Sequence, residues 1–97
     1  MTLDEILRDI HALEEDLLKY ERKYGVLSET FYESFVRGEE PPEEGWVLDW
    51  NGWAATYEIW LQRKKQYEEM IRSLQDTTPL ITVIQKAARR EPISLPG

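Results

Sequence analysis

DWNGWAATYEIWLQRKKQYEEMIRSLQ, residues 49–75, is the stretch whose reading decides the fold. Its large residues fall at Trp50, Trp53, Tyr57, Trp60, Lys64, Tyr67, Ile71 and Leu74, with alternating steps of 3 and 4. That 3.5-residue beat belongs to a helix that lays one seam against another helix. The first half of the seam is aromatic and the second half aliphatic.

Toward the N-terminus the same beat recurs at Leu3, Ile6, Ile10, Leu13, Leu17, Tyr20 and Tyr24, predicting a first helix over 3–24. Thr2 and Glu5 form a T-x-x-E capping box, and Gly25 suits a left-handed helix stop. Residues 25–48 then hold a short helix followed by an acidic loop. Ser28 is the expected N-cap, with Leu27 stapled against Tyr32, and Phe31, Tyr32, Phe35 and Val36 give an apolar face. Gly38 ends that helix, and GEEPPEEG, residues 38–45, reads as an extended, solvated loop.

Two long heptad helices, 1–24 and 49–76, joined by this excursion predict an all-α single domain, residues 1–97, built as an antiparallel two-helix coiled-coil hairpin. That pairing sets Leu3, Ile6 and Ile10 beside Ile71 and Leu74, and Tyr20 and Tyr24 beside Trp50 and Trp53. Phe31 and Phe35 then cover the aromatic end, making the short helix a lid. Residues 77–97 form a C-terminal helix or tail. Asp76, Thr77 or Thr78 caps it, Pro79 takes its first position, and Leu80, Ile81, Ile84, Ala87 and Ala88 form its stripe. A β-branched strand over 80–84 is the alternative, and the last residues, EPISLPG, are expected to be irregular.

The composition narrows the function. A net charge of -7 disfavours nucleic acid and anionic membrane as partners. Residues 25–48 carry six acidic and one basic side chain, whereas 77–97 carry three basic and one acidic. Without cysteine there is no disulfide, zinc knuckle or thiol nucleophile. No secretory signal or membrane-length apolar run occurs, so a cytoplasmic location is expected.

The parts of an enzyme are missing from the sequence: His11 is the single histidine and falls on the solvated side of the first helix, and no phosphate loop, metalloprotease or nucleophile-elbow motif occurs. No enzymatic activity and no cofactor are expected. Glu39, Glu40, Glu43 and Glu44 lack the spaced Asp/Asn/Gly pattern of a calcium loop and read as solvated. The Trp/Tyr seam has no basic groove beside it and reads as core rather than a base-stacking platform. Lys64 on the seam either packs its stem along the rings or sets register. The segment QKAARR, residues 85–90, packs on the hairpin or engages a second protein.

The run YERKYGVLSETFYESFVRGEE, residues 20–40, resembles a motif of small bacterial and archaeal proteins. It stands here as Tyr20, Glu21, Tyr24, Gly25, Ser28, Glu29, Phe31, Tyr32, Phe35, Gly38 and Glu39. With the flanking helices the resemblance covers about residues 3–75. Those proteins are encoded beside a small basic toxin of the TumE type and are regarded as its antitoxin. The resemblance implies direct binding and neutralisation of a cognate toxin, an RNase, with the acidic segment meeting a basic face. This chain departs from the pattern in its longer PPEEG loop and in its extension after Gln75. The partner-binding residues expected are Glu39, Glu40, Glu43, Glu44 and Trp46, together with Lys86, Arg89 and Arg90.

The competing expectation is a self-associating scaffold, a homodimer formed through Leu7, Leu18 and Leu61 beside the seams, with Glu14 limiting such a contact. Leu18, Ile59 and Met70 lie off the seam and are the residues expected to form an exposed patch.

Overall fold

The computed structural model describes residues 1–91 and Ile93; the rest of the expected irregular tail lies outside them. The chain is all-helical: α1 (Leu3–Tyr24), α2 (Ser28–Val36), a 3-10 turn (Glu44–Trp46), α3 (Val47–Gln75) and α4 (Leu80–Ala88). It forms two compact units, one of residues 12–61 and one of residues 1–11 with 62–97. Among the described residues no helix is long and apolar enough to cross a membrane.

In the unit of residues 12–61, the core is Leu17, Phe31, Trp53, Ala54 and Tyr57, with Tyr20, Tyr24, Tyr32, Phe35, Trp50 and Trp60 packed around it. Trp53 is its centre, fully buried. Phe31 stacks on it at 4.0 Å with rings 3° apart, Tyr24 at 5.5 Å and Tyr20 at 5.6 Å. Trp50 meets the edges of Tyr24 and Phe31 at 5.5 and 5.0 Å. Aromatic pairs in these stacked and edge-on geometries are worth about 0.5–1.5 kcal/mol each beyond area burial. Contacts between α1 and α3 run in opposite chain directions here: Tyr24 with Asp49, Tyr20 with Trp53, Glu14 with Trp60.

α2 departs from the expectation at both ends. Ser28 is not a solvated N-cap; Leu27 holds that position without a side-chain cap. Ser28 is only 3% exposed, and its N–H and hydroxyl both donate to Glu21 Oε2, at 2.8 and 2.7 Å. A carboxylate from α1 therefore does the capping, which suits the positive end of the helix dipole. Leu27 is 63% exposed and makes no buried staple, and Val36 is exposed rather than part of the apolar face. Gly38 terminates α2 with φ +79, as Gly25 terminates α1 with φ +78. Gly38 N–H donates to Phe35 O and Glu39 N–H to Ser34 O, the bond pair of a Schellman stop. The acidic loop is not extended throughout, because residues 44–46 wind into the 3-10 turn that leads straight into α3.

In the other unit Leu3, Ile6, Ile10, Met70, Leu74, Val83 and Ile93 are buried. Thr2 Oγ1 accepts from Glu5 N–H at 3.2 Å, the cap anticipated for α1, and Leu3 N–H donates to Ile93 O at 2.9 Å. Met70 is only 1% exposed, so it does not belong to an exposed patch. Lys64 is exposed, and the half-buried position nearby is Arg63, whose Nε reaches Asp9 Oδ2 at 3.2 Å. The seam itself persists beyond Lys64, with Tyr67 and Ile71 half-buried and Leu74 buried.

α4 is a helix rather than a strand, with Pro79 at its N-cap instead of its first turn and no side-chain cap. Thr82 and Val83 N–H donate to Pro79 O. Its buried residue is Val83, while the expected stripe faces outward: Ile81 is 61% and Ile84 59% exposed.

Candidate protein-binding surfaces

The acidic surface is built on the aromatic base. Gly38 turns the chain out of α2, Pro41 and Pro42 keep the segment out of helix, the chain bends at Pro42 and Glu43, and the 3-10 turn leads into α3. Glu39, Glu40, Glu43 and Glu44 are all exposed and line one open cleft of about 550 Å³. Its apolar walls come from Phe35, Pro41, Pro42, Val47 and Trp50. Trp46 stacks on Trp50 at 5.5 Å and meets Tyr24 edge-on at 5.0 Å, which fixes the end of the acidic segment to the core. Among the described residues Trp50 Nε1 is the buried side-chain polar atom without a hydrogen-bond partner.

Asp49, at the start of α3, accepts from Lys23 Nζ and Tyr24 Oη, both at 2.6 Å. The Lys23 bond, and after it the Tyr24 bond, hold the Asp49 carboxyl below the ordinary range. Burial and then the same Asp49 contact push the Tyr24 phenol up. This cluster ties the last turn of α1 to the first of α3. On the far side, Tyr32 Oη donates to Glu58 Oε1 at 3.0 Å, which raises the Tyr32 phenol.

The hydrogen-bond chain Trp53 Nε1 to Ser28 Oγ (2.9 Å), then Ser28 Oγ to Glu21 Oε2, runs through the centre of this unit. The sequence reading assigned neither Glu21 nor Trp53 to it. Their only signal is that a serine and a glutamate seven residues apart flank a helix stop.

The basic residues lie in the other unit. Lys86 is in the last turn of α4, Arg89 is its C-cap, and Arg90 follows with φ +62. Arg90 N–H donates to Ala87 O and Glu91 N–H to Lys86 O, a Schellman stop with arginine where glycine is usual. Arg90 lines a cavity of about 290 Å³ with Leu3, Asp4, Leu7, Arg8, Ala87 and Ile93. Asp4 is held below the ordinary range chiefly by its hydrogen bond from Arg8, with a smaller contribution from Arg90. His11 lies exposed on a shallow depression with Asp4, Leu7, Arg8 and Arg90.

The expected binding residues thus fall into two groups, each coherent within its own unit. Among the described residues no group of three or more His, Cys, Asp or Glu is placed to hold a metal ion. The charge is divided along the same lines. Residues 12–61 contain 4 basic and 12 acidic side chains, net -8, and the remaining residues 8 basic and 7 acidic, net +1. Compared with family models, curated proteins and solved structures, the chain gives no match.

Proposed function

We propose that this chain is an antitoxin, a cytoplasmic protein that binds a cognate toxin directly and neutralises it, the toxin being an RNase with a basic face. In this reading the long helices form an antiparallel hairpin and α2 is its lid. The acidic cleft meets the toxin while the basic end of α4 makes a second contact. The observation that carries the reading is the cleft itself. Four exposed glutamates stand on a base of stacked rings, so their charge is presented by a rigid support rather than a free loop. Concentrating -8 in one unit speeds encounter with a basic partner and discourages nucleic acid.

The test is co-expression with the product of the neighbouring gene and purification through a tag on this chain. Recovery of a complex, with relief of the toxin's growth defect, is the expected result. Recovery of this chain alone, without relief, overturns the proposal. The variant carrying Glu39→Gln, Glu40→Gln, Glu43→Gln and Glu44→Gln should lose most of the complex at physiological salt.

The second reading, a self-associating scaffold, rests on Leu7, Leu18 and Leu61, each 37–41% exposed. A dimer formed by the isolated chain and abolished by Leu61→Glu would favour it.

A further inference from the structure

An apolar groove in the unit of residues 12–61 has a chemistry of its own. Its floor is Leu17, Leu18, Leu27, Tyr57 and Trp60, and its volume is about 330 Å³. Leu27 at 63% and Leu18 at 40% exposure are both left partly open to water, although the sequence reading expected Leu27 to be covered by Tyr32. The rim is Glu14, Glu21 and Glu29, and no lysine or arginine lines it. Two of these carboxylates are fixed in place. Glu14 Oε2 accepts from Trp60 Nε1 at 3.3 Å, and Glu21 Oε2 accepts from both donors of Ser28. Glu29 stands near enough to Tyr57 to help raise its phenol, after burial.

We propose that this groove seats an amphipathic cationic helix of the partner protein; the inference rests on the antitoxin reading and names the partner's chemistry at a site apart from the acidic cleft. Complementarity of charge selects the occupant. An apolar floor calls for an apolar stripe, and a rim made only of carboxylates calls for lysine or arginine beside it. On α1 the lining residues Glu14, Leu17, Leu18 and Glu21 span eight residues, a rise of about 10 Å at ~1.5 Å per residue. That length matches two turns of a helix carrying apolar residues at i, i+3 or i+4 and i+7, as in helix-in-groove recognition. A second copy of this chain is disfavoured there, because a self-complementary contact would bring two units of net charge -8 together.

The probe is a blocked 14-residue peptide with leucine at i, i+3, i+4 and i+7 and lysine on its other face, titrated into the full chain while tryptophan emission is followed. Its control has glutamate for every lysine. Saturable binding of the lysine peptide alone is expected, weakened at least tenfold by Leu18→Ala with Leu27→Ala. Glu14→Gln with Glu29→Gln should weaken it severalfold and flatten its salt dependence. These four positions are exposed, so folded variants are expected, and circular dichroism verifies that.

Equal binding of both peptides, or binding unmoved by the leucine pair, overturns the proposal. So does loss only in the variant of the four cleft glutamates. A dimer in sedimentation that the leucine pair abolishes assigns the groove to a second copy and overturns it as well. If the toxin complex forms undiminished with the leucine pair replaced, the groove inference fails while the antitoxin reading stands. If wild-type protein retains no toxin, that reading fails and the peptide titration still decides the groove.

Discussion

Replacing Ser28 tests how the unit of residues 12–61 is held together. The hydroxyl accepts from Trp53 Nε1 at 2.9 Å and donates to Glu21 Oε2 at 2.7 Å, with Ser28 3% exposed and Trp53 fully buried. Ser28→Ala leaves the indole N–H buried without an acceptor, at a cost of about 1–3 kcal/mol, and removes one hydrogen bond to a carboxylate. Glu21 keeps its bond from the Ser28 backbone, so the total should be about 2–3 kcal/mol. For a domain of this size that lowers the melting temperature by roughly 10–20 °C.

Ser28→Asp separates the two roles a serine can have at this point. A solvated N-cap accepts aspartate with little loss. In the observed network the new carboxylate would be buried against Glu21, and the variant should be the less stable of the two. The assay is urea unfolding followed by tryptophan emission, which reports this unit because Trp46, Trp50, Trp53 and Trp60 all lie in it. A Ser28→Ala protein within about 0.5 kcal/mol of wild type, or an aspartate variant as stable as wild type, refutes the network.

Gly52→Ala places a Cβ 2.7 Å from Tyr20 Oη, and Tyr20 cannot swing away freely because its ring stacks on Trp53. The alanine gains about 1 kcal/mol of helix propensity, yet a net loss of about 1–2 kcal/mol from overpacking is expected in urea unfolding; adding Tyr20→Phe should reverse the sign. Arg90→Gly relieves a left-handed backbone at φ +62 and should stabilise the chain by about 1 kcal/mol, read as a higher melting temperature by circular dichroism. Asp49 titrates lower in the folded chain because of Lys23 and then Tyr24. Its stabilising contribution is therefore complete above the unfolded carboxylate pKa of about 4 and is lost as pH falls through the lower folded value. Asp49→Asn should remove that part of the acid limb, and parallel stability curves for the two proteins from about pH 5 to pH 2 would refute it.

The fold was legible wherever one periodic pattern decides burial. Every seam position of α1 from Leu3 to Tyr24 is buried or half-buried, because over 22 residues one side of the helix is apolar and the other charged. α3 was legible at every seam position except Lys64, whose long charged side chain stays exposed, and the pattern did not mark Met70, which is buried one position before Ile71. At nine residues α4 is too short for its stripe to be phased, and Val83, the residue it buries, is as apolar as the two isoleucines it exposes. Ser28 was misplaced because capping and buried hydrogen bonding favour the same residue type. The exposure of the acidic segment was readable from its glutamates and prolines, but the 3-10 turn at Glu44–Trp46 that bends it back was not. The groove was not, because Leu18 and Leu27 come from different elements and meet only after folding.

Within the run from Tyr20 to Glu39 the work is almost wholly architectural. Tyr20, Tyr24, Phe31, Tyr32 and Phe35 build the aromatic cluster, Glu21 and Ser28 join α1 to α2, and Gly25 and Gly38 stop two helices. Among the side chains named in that run only Glu29 and Glu39 are exposed, and one lines the groove while the other lines the cleft. A sequence pattern of this kind specifies a platform and leaves recognition to what stands on it. Glu29→Gln with Glu39→Gln should therefore leave urea unfolding within about 0.5 kcal/mol of wild type, as exposed substitutions do, while weakening capture of a basic partner. Loss of stability in that double variant would place both glutamates in the framework and leave the surface without them.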